Sequence, residues 1–334
     1  MEAFTVFIFL ATLFLAYANG ANDNFKGVAT LYGSCTTNYK KSLIYATIAT
    51  AIGSLMALYL ANELIIVFKG KGLVPDDVIQ MQNFPLAVGI GAALTVMSAT
   101  FLNLPVSTTH ALIGALAGAG WVSSKTGINW DVLSKAYFLP LIAGPILSLL
   151  LAFIIYPLFK KIREDLKIDQ ETCFCIGEKV IATAEGHGVT KEQFENNFHT
   201  SLVLPEAAVA SQAYCRSSYS GKFAGISARN VLDGLHYLSS GLVCFSRGLN
   251  DTPKIAALLL IGSRFDLNIS IVVVSAVMAI GGLVHSKRIA VTMGEKITEM
   301  NPGQAFTANL VTGLMVLVAS RFGIPVSTTH VSCG

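Results

Sequence analysis

Long apolar stretches account for most of the chain, and they limit its possible folds more than any other feature. They cover residues 2–36, 42–67, 84–121, 134–159, 230–262, 268–285 and 303–323, and another begins at residue 324. A membrane-spanning helix needs about 20 apolar residues, so stretches of this length predict several spans. Only 13% of the residues are charged and the mean hydropathy is +0.61, whereas soluble domains are about 25% charged. We therefore expect an all-α, polytopic protein of the cell membrane, in contact with the lipid bilayer.

Two of these stretches are too long for one straight span. The first and the fifth each run to about 35 residues, or about 50 Å of helix at 1.5 Å per residue. Each contains a polar pair, Asn22-Asp23 in the first and Asn250-Asp251 in the fifth. We predict that both helices are broken inside the membrane at these pairs. The stretch 84–121 is predicted to form one span and a re-entrant half-helix that resumes after Pro105.

The distribution of Lys and Arg predicts the orientation of the chain. Cytoplasmic loops of membrane proteins carry an excess of these residues, and basic residues cluster at Lys40-Lys41, in the segment 160–229 and at Lys287-Arg288. Placing these three regions in the cytoplasm puts the N-terminus outside. The predicted division is a first membrane repeat at 1–160, a cytoplasmic insert at 161–228 and a second membrane repeat at 229–334. The net charge of +3 is too small to indicate a nucleic-acid partner.

Two motifs occur twice, in the same order. YANGANDNFKGVATLYG (17–33) and FSRGLNDTPKIAALLLIG (245–262) share a glycine, one residue, Asn-Asp and a lysine three residues after the aspartate. NLPVSTTHALIG (103–114) and GIPVSTTHVSCG (323–334) share the hexamer PVSTTH. The predicted topology starts the first unit outside and the second inside. The chain is therefore expected to contain two inverted repeats, an arrangement that places a transport site at the membrane midplane, where broken helices meet.

The hexamer PVSTTH has the composition of a helix start. Proline favours the first turn, and Ser or Thr accepts hydrogen bonds from the free N–H groups there. A half-helix that starts in mid-membrane offers N–H donors, hydroxyls and a partial positive charge, which together suit an anion. The alternative is that each copy only caps a helix. We predict a site for a tetrahedral oxyanion, formed by Ser107, Thr108, Thr109, Ser327, Thr328 and Thr329.

The Asn-Asp pairs supply oxygen atoms within apolar stretches. A carboxylate inside a membrane is costly and normally has a partner and a function, and carboxylate and amide oxygens suit a hard cation. We predict a Na⁺ site at Asn22, Asp23, Asn250 and Asp251, with Na⁺ as a co-transported ion and no other cofactor. The alternative is a pair of ion bridges to Lys26 and Lys254. A divalent anion beside two aspartates would be strongly repelled, so the site implies cotransport with Na⁺ or, as the alternative, H⁺.

Other charged residues in the apolar stretches also have expected partners, and other protein classes remain open or are disfavoured. Arg247 is expected to pair with Asp251 in preference to the anion, and His110 and His330 are expected to be neutral hydrogen-bonding partners. A sulfate permease of the same architecture is the nearest alternative, because sulfate is also a tetrahedral anion. An intramembrane hydrolase is disfavoured because the chain has no Gly-x-Ser-x-Gly elbow, and a channel is disfavoured because paired carboxylates suit occluded binding. The chain is thus predicted to be a transporter and not an enzyme.

The segments GANDNFKGVATLYG and GLNDTPK and the duplicated PVSTTH resemble the PiT inorganic phosphate transporters, which are Na⁺- or H⁺-coupled symporters. The resemblance covers residues 1–160 and 225–334. It implies an inverted-repeat fold that is often dimeric, with phosphate at the Ser-Thr-Thr helix starts and Na⁺ near the Asn-Asp pairs. By position, the phosphate residues and the Na⁺ residues that it implies are the same ten residues given above.

The chain departs from the family pattern at three places. Eukaryotic members tend to have an intramembrane glutamate where this chain has Asn309, and a second acid is replaced near Thr50. A coupling scheme that uses those acids is not expected here, which favours cation binding by the aspartates. Only four residues follow His330, too few for the half-helix predicted after His110. We expect either that the protein continues beyond this sequence or that the second half of the anion site is incomplete.

Overall fold

A computed structural model describes residues 2–124, 127–169, 171–182, 201–211, 213, 224–262, 265–296 and 300–333. The chain divides into two compact units. The membrane unit consists of Met1–Tyr156 and Leu235–Gly334, and the insert unit consists of Pro157–Gly234. The insert predicted at 161–228 falls within the second of these units.

The first half of the chain is helical. Its helices are α1 (Glu2–Asp23), α2 (Ala29–Gly33), α3 (Tyr39–Leu60), α4 (Asn62–Phe68), α5 (Asp76–Ile79), α6 (Asn83–Phe101), α7 (Thr108–Ser123), α8 (Trp130–Val132) and α9 (Leu139–Asp165). A 3-10 turn at Lys26–Val28 joins α1 to α2, and a π-helical turn at Leu133–Phe138 joins α8 to α9.

The second half contains fewer described helices. They are α10 (Ala228–Gly262), α11 (Leu267–His285), α12 (Lys287–Val291), α13 (Pro302–Arg321) and α14 (Thr328–Cys333), with a π-helical turn at Thr292–Lys296. The insert unit also contains an antiparallel sheet in the order β2-β1-β3, formed by β1 (Thr172–Ala182), β2 (Ser201–Ser211) and β3 (Ala224–Ser227). The sequence had predicted no structure for this insert.

Six helical segments within the described residues are long and apolar enough to cross a membrane. They are Ala3–Gly33, Tyr39–Leu60, Asn83–Phe101, Trp130–Asp165, Leu267–His285 and Pro302–Arg321. Helix α10 is not among them, and it carries Arg247, Asp251 and Lys254 within two turns. The side chains on α9 agree with contact to lipid, because Phe153 is 77% exposed and Ile154 64%. The fold is therefore that of a mostly helical, multi-pass membrane protein.

The predicted breaks are correct for the first half of the chain and wrong for α10. Helix α1 ends at Asp23 and α2 begins at Ala29, so the first long stretch is broken at its Asn-Asp pair. Helix α6 ends at Phe101 and α7 resumes at Thr108, as expected for an arm after Pro105. Helix α10, in contrast, continues through Asn250-Asp251 and Pro253 for 35 residues.

Two physical reasons account for the continuity of α10. Its first residues, Ala228–Gly234, belong to the insert unit, so its length does not have to fit within the bilayer. The proline removes one N–H donor, and helices packed in a membrane tolerate this loss because neighbouring groups serve the freed carbonyl. A polar pair in a long stretch is therefore not by itself a signal for a broken helix.

Four glycines let α1 pack closely on α11 and let α10 pack closely on α3. A Cβ atom on Gly20 of α1 would lie 1.9 Å from the carbonyl oxygen of Met278 in α11, and one on Gly53 of α3 would lie 1.9 Å from that of Phe245 in α10. Gly248 and Gly281 make the reciprocal approaches, at 2.1 Å each. They follow Gly20 and Gly53 by the same 228 residues. The two halves thus pack through matching contacts, whereas their inverted orientation in the membrane stays a prediction.

Candidate functional site

Both copies of PVSTTH start a helix in the same way. Helix α7 begins at Thr108, and the Ser107 hydroxyl accepts a hydrogen bond from the backbone N–H of His110 at 3.2 Å. Helix α14 begins at Thr328, and the Ser327 hydroxyl accepts from His330 at the same distance. Serine is a favoured N-cap because its oxygen satisfies a free N–H in the first turn. The predicted helix starts are therefore confirmed in both halves.

The two helix starts lie side by side although 220 residues separate them in the sequence. The rings of His110 and His330 have their centroids 4.4 Å apart at an interplanar angle of 67°. Each ring also places its Nδ1 within hydrogen-bond distance of the serine of its own motif, at 2.8 Å from Ser107 and 3.1 Å from Ser327. The histidines act as hydrogen-bonding partners, as expected, and they join the two copies.

The third hydroxyl of each motif reaches across to the other copy. Thr109 donates to the carbonyl oxygen of Val326 at 3.0 Å, and Thr329 donates to the carbonyl oxygen of Val106 at 3.2 Å. Each valine lies in the non-helical segment just before its own helix. The structure thus brings the six predicted anion residues of the two motifs into one place.

The two aspartates lie beside the lysines of their own motifs. The Lys26 ammonium donates to Oδ1 of Asp23, and the Lys254 ammonium lies 3.7 Å from Oδ1 of Asp251. All four side chains are buried, with exposed fractions of at most 3%. The ion bridges that the sequence left open as an alternative are therefore present, although the second contact is looser than the first.

Each lysine also contacts the motif hydroxyl of the opposite half. Lys26 donates to Thr329 at 2.7 Å and to the carbonyl of Val106 at 2.6 Å. Lys254 donates to Thr109 at 2.7 Å and to the carbonyl of Val326 at 3.0 Å. The sequence interpretation treated these lysines only as partners of the aspartates. Their repetition at the same spacing in both halves was the available signal for a shared role in the site.

Asn19 connects the two aspartates and was missed by the sequence interpretation. Its amide nitrogen lies 2.9 Å from Oδ2 of Asp23 and 3.3 Å from Oδ2 of Asp251, and it donates to the Thr108 hydroxyl at 2.9 Å. The Thr108 hydroxyl in turn donates to Asp23 at 3.0 Å. One amide and one hydroxyl therefore tie both carboxylates to the start of α7. The position of Asn19, one turn before Asp23 on α1, was the signal for this role.

The paired asparagines hold the non-helical segments that precede the two helix starts. Asn22 accepts from the backbone N–H of Val106 at 3.0 Å and donates to the carbonyl of Leu104 at 3.0 Å. Asn250 donates to the carbonyl of Val326 at 3.3 Å and accepts from Ser320 at 3.1 Å. These bonds position the motifs, whereas Na⁺ binding by the amide oxygens stays a prediction.

Arg247 does not pair with Asp251 as the sequence had suggested. Its Nη2 donates to Asn24 and to Thr50 at 3.2 Å each, and no ion pair joins it to Asp251 in the part of the chain that is described. Arg247 is 1% exposed, and its Nε and Nη1 have no hydrogen-bond partner among the described residues. The pairing is absent because the side chain extends toward α3 and not along α10.

At the positions where the family pattern has acids, this chain has neutral side chains that form hydrogen bonds. Asn309 donates to the hydroxyls of Thr30 and Ser240 at 2.8 and 2.7 Å, and Thr50 accepts from Arg247. Neither residue contacts the two aspartates in the described structure. The acidic groups of the site are thus Asp23 and Asp251.

The predicted site residues are all enclosed by the protein. The ten residues have exposed fractions of at most 6%. They are Asn22, Asp23, Ser107, Thr108, Thr109, Asn250, Asp251, Ser327, Thr328 and Thr329. A cavity of about 300 Å³ lies elsewhere, lined by residues that include Ser148, Gln304 and Thr312, and includes none of the ten. The predicted site residues are therefore shielded from solvent.

Comparison with known proteins assigns the chain to a family. Residues 19–334 match the family described as "Phosphate transporter family". Relatives named "putative phosphate permease" occur in Pyrococcus horikoshii, at 24% identity over 96% of this chain and 84% of the relative, and in Pyrococcus abyssi, at 25% over 100% and 88%. A Helicobacter pylori protein of the same name is 26% identical over 98% of this chain and 67% of its own.

A solved structure has the same fold. The structure described as "The sodium-dependent phosphate transporter" superposes with a TM-score of 0.72 at 19% identity, covering 99% of this chain and 88% of that chain. The family match confirms that the chain is a transporter and not an enzyme. Because that match extends over nearly the whole sequence, the protein belongs to the phosphate transporter family.

Proposed function

We propose that the protein imports inorganic phosphate by symport with cations, and that Na⁺ is the coupling ion. The observation that carries this proposal is the meeting of the two Ser-Thr-Thr motifs over the two buried aspartates. Thr108 of the first motif bonds directly to Asp23, and Asn19 joins Asp23 to Asp251. Coupled transport of oppositely charged ions needs an anion site and a cation site that interact. Here the two proposed sites share side chains.

The anion side of the site consists of donors. Phosphate oxygens accept hydrogen bonds, and the six motif residues offer hydroxyls together with the first N–H groups of α7, which have no acceptor within the helix. The N-terminal end of α7 also carries partial positive charge. We assign phosphate binding to Ser107, Thr108, Thr109, Ser327, Thr328 and Thr329, with the second copy contributing through its hydroxyls.

The cation side consists of oxygen acceptors. Asp23 and Asp251 carry two negative charges within reach of one amide nitrogen, and a phosphate dianion in the same enclosed site would be repelled by both. Cations that bind with the phosphate remove this repulsion. We assign Na⁺ to these carboxylates and to the amide oxygens of Asn22 and Asn250, because amide and hydroxyl oxygens suit a coordinated metal ion and a proton does not need them.

The direction of transport is set by the Na⁺ gradient, and the proposed orientation determines only which face of the protein meets the cytoplasm. The distribution of basic residues supports a cytoplasmic insert and an N-terminus outside the cell. With Na⁺ more concentrated outside the cell, symport then moves phosphate inward. The solved structure of the same fold is described as that of a sodium-dependent transporter, which supports Na⁺ as the ion to test first.

The alternatives differ in ion or in substrate. A proton could replace Na⁺ at the aspartates, and sulfate could replace phosphate because both are tetrahedral anions. Phosphate uptake into proteoliposomes under imposed Na⁺ or H⁺ gradients, with sulfate as competitor, separates these cases. We expect uptake that follows the Na⁺ gradient and resists equimolar sulfate. Uptake that follows only the H⁺ gradient would reassign the ion, and displacement by sulfate would reassign the substrate.

A further inference from the structure

We propose that Lys26 and Lys254 are phosphate-binding residues, and that Na⁺ binding transfers their ammonium groups from the aspartates to the phosphate. This inference rests on the proposed function, because it explains how the cation and the anion of that function become coupled. The lysines would then be the link between the two sites.

The contacts of Lys26 place it between the two sites. Its ammonium donates to Asp23 on one side and to the Thr329 hydroxyl and the Val106 carbonyl on the other. An ammonium has three N–H donors, so all three are in use. A side chain that served only as a helix ion bridge would not need a contact with a phosphate-site hydroxyl of the opposite half.

The contacts of Lys254 repeat this arrangement in the other half. Its ammonium is closer to the Thr109 hydroxyl, at 2.7 Å, than to the Asp251 carboxylate, at 3.7 Å. The two lysines therefore show a tight and a loose contact with their aspartates, while both keep the same distance to the motif threonine. Movement away from the carboxylate is thus compatible with the contact on the phosphate side.

The Na⁺ ion and the lysine ammonium compete for the same carboxylate oxygens. Two cations on one carboxylate repel each other, and this repulsion is strong where water is excluded. When Na⁺ occupies Asp23, the ammonium loses its counter-charge and remains buried against Thr329. A phosphate anion restores the balance, because its oxygens accept from the displaced ammonium and a charged hydrogen bond of this kind is strong.

This exchange makes each ligand depend on the other. Without Na⁺ the aspartates hold the ammonium groups and phosphate gains little from them. Without phosphate, Na⁺ leaves a buried ammonium with no counter-ion, which is unfavourable. Phosphate and Na⁺ therefore bind together, and by linkage each raises the affinity of the site for the other.

The test measures both ligands in variants that lack one ammonium. Lys26→Met and Lys254→Met are purified, phosphate affinity is measured calorimetrically in saturating Na⁺, and ²²Na⁺ binding is measured without phosphate. We expect phosphate affinity to fall about tenfold or more, as for the loss of a charged hydrogen bond, while Na⁺ affinity rises because its competitor is gone. Lys135→Met is the control, since Lys135 forms an exposed ion pair with Asp131.

Changes in opposite directions support the inference, since a lysine that only holds the fold would weaken both ligands together. Unchanged phosphate affinity, or a joint loss of both affinities, would overturn it. If Lys26→Met does not fold, Asp23→Asn is compared with Asp23→Asn/Lys26→Met, in which neither charge of this buried pair remains. Asp23→Asn should then bind phosphate without Na⁺, whereas the double variant should not. Equal phosphate binding by the two variants would exclude Lys26 from the phosphate site. Wild-type uptake that ignores Na⁺ would instead refute the proposed function.

Discussion

The ammonium of Lys26 lies 2.7 Å from the hydroxyl of Thr329, which follows it by 303 residues. The same contact occurs in reverse, because Lys254 lies 2.7 Å from the hydroxyl of Thr109. Each half of the chain thus supplies a cation to the helix start of the other half. Neither half forms the complete site alone, which gives a physical reason for the two copies of each motif.

Neutralising the first aspartate should separate coupling from transport. In Asp23→Asn, we expect phosphate uptake to lose its dependence on Na⁺, because the variant lacks one of the two carboxylates assigned to the cation. Stability should also fall by about 3 kcal/mol, since Lys26 stays buried without its counter-charge. Uptake in proteoliposomes and thermal unfolding in detergent measure the two effects. Unchanged Na⁺ dependence would remove Asp23 from the cation site.

The accompanying variant Asp23→Asn/Lys26→Met should recover most of the lost stability. Removal of both members of a buried ion pair is often close to neutral, whereas removal of one is strongly destabilising. A double variant no more stable than Asp23→Asn would show that the ion pair does not account for the loss. Its phosphate uptake should fall below that of Asp23→Asn, because it also lacks the ammonium that we assign to phosphate.

Substitution of a packing glycine should disrupt the contact between the halves. In Gly20→Ala, the added methyl group would lie 1.9 Å from the carbonyl oxygen of Met278, so α1 and α11 must move apart, and we expect a loss of about 1–3 kcal/mol or more. Gly118→Ala is the matched control, because nothing lies within 4 Å of its added Cβ and alanine favours a helix interior by about 0.5–1 kcal/mol. Equal melting temperatures for the two variants would contradict the close packing.

The sequence was sufficient for the features that depend on local chemistry. The Ser107 cap and the start of α7 follow from residue types that act on their own neighbours in the chain. The family and the substrate class followed from the repeated motifs. These features needed no knowledge of which helices pack together.

The features that depend on tertiary contacts were not predicted. The spacing of Lys26 from Asp23 fits a helix ion bridge equally well with or without a contact to Thr329. The sequence therefore could not show that each lysine contacts a threonine of the other half. The break predicted in α10 failed because part of that helix lies in the insert unit. The glycine contacts, in contrast, have a counterpart in the sequence. The tripeptide AIG occurs at 51–53 and again at 279–281, and these copies are separated by the same number of residues as the two Asn-Asp pairs.

Removal of one cap hydroxyl should show whether the serines bind phosphate or only start the helices. Glycine at an N-cap costs only a few tenths of a kcal/mol relative to serine, so Ser107→Gly should leave the melting temperature nearly unchanged. We expect the phosphate concentration for half-maximal uptake to rise about two- to tenfold, as for the loss of one neutral hydrogen bond. An unchanged value, confirmed in Ser327→Gly, would leave both serines with a capping role alone.

Removal of the buried guanidinium should weaken phosphate binding without harming the fold. Arg247 lies one turn before Asp251 on α10, and in the part of the chain that the structure describes, two of its nitrogens have no hydrogen-bond partner. An incompletely bonded buried charge adds little to stability, so we expect Arg247→Met to keep or raise the melting temperature. Its charge nevertheless favours an anion in the same enclosed region. Phosphate affinity should therefore fall about tenfold and recover in part in Arg247→Lys. If affinity stays constant in Arg247→Met, the field of this charge does not reach the site, and the lysines alone supply the positive charge.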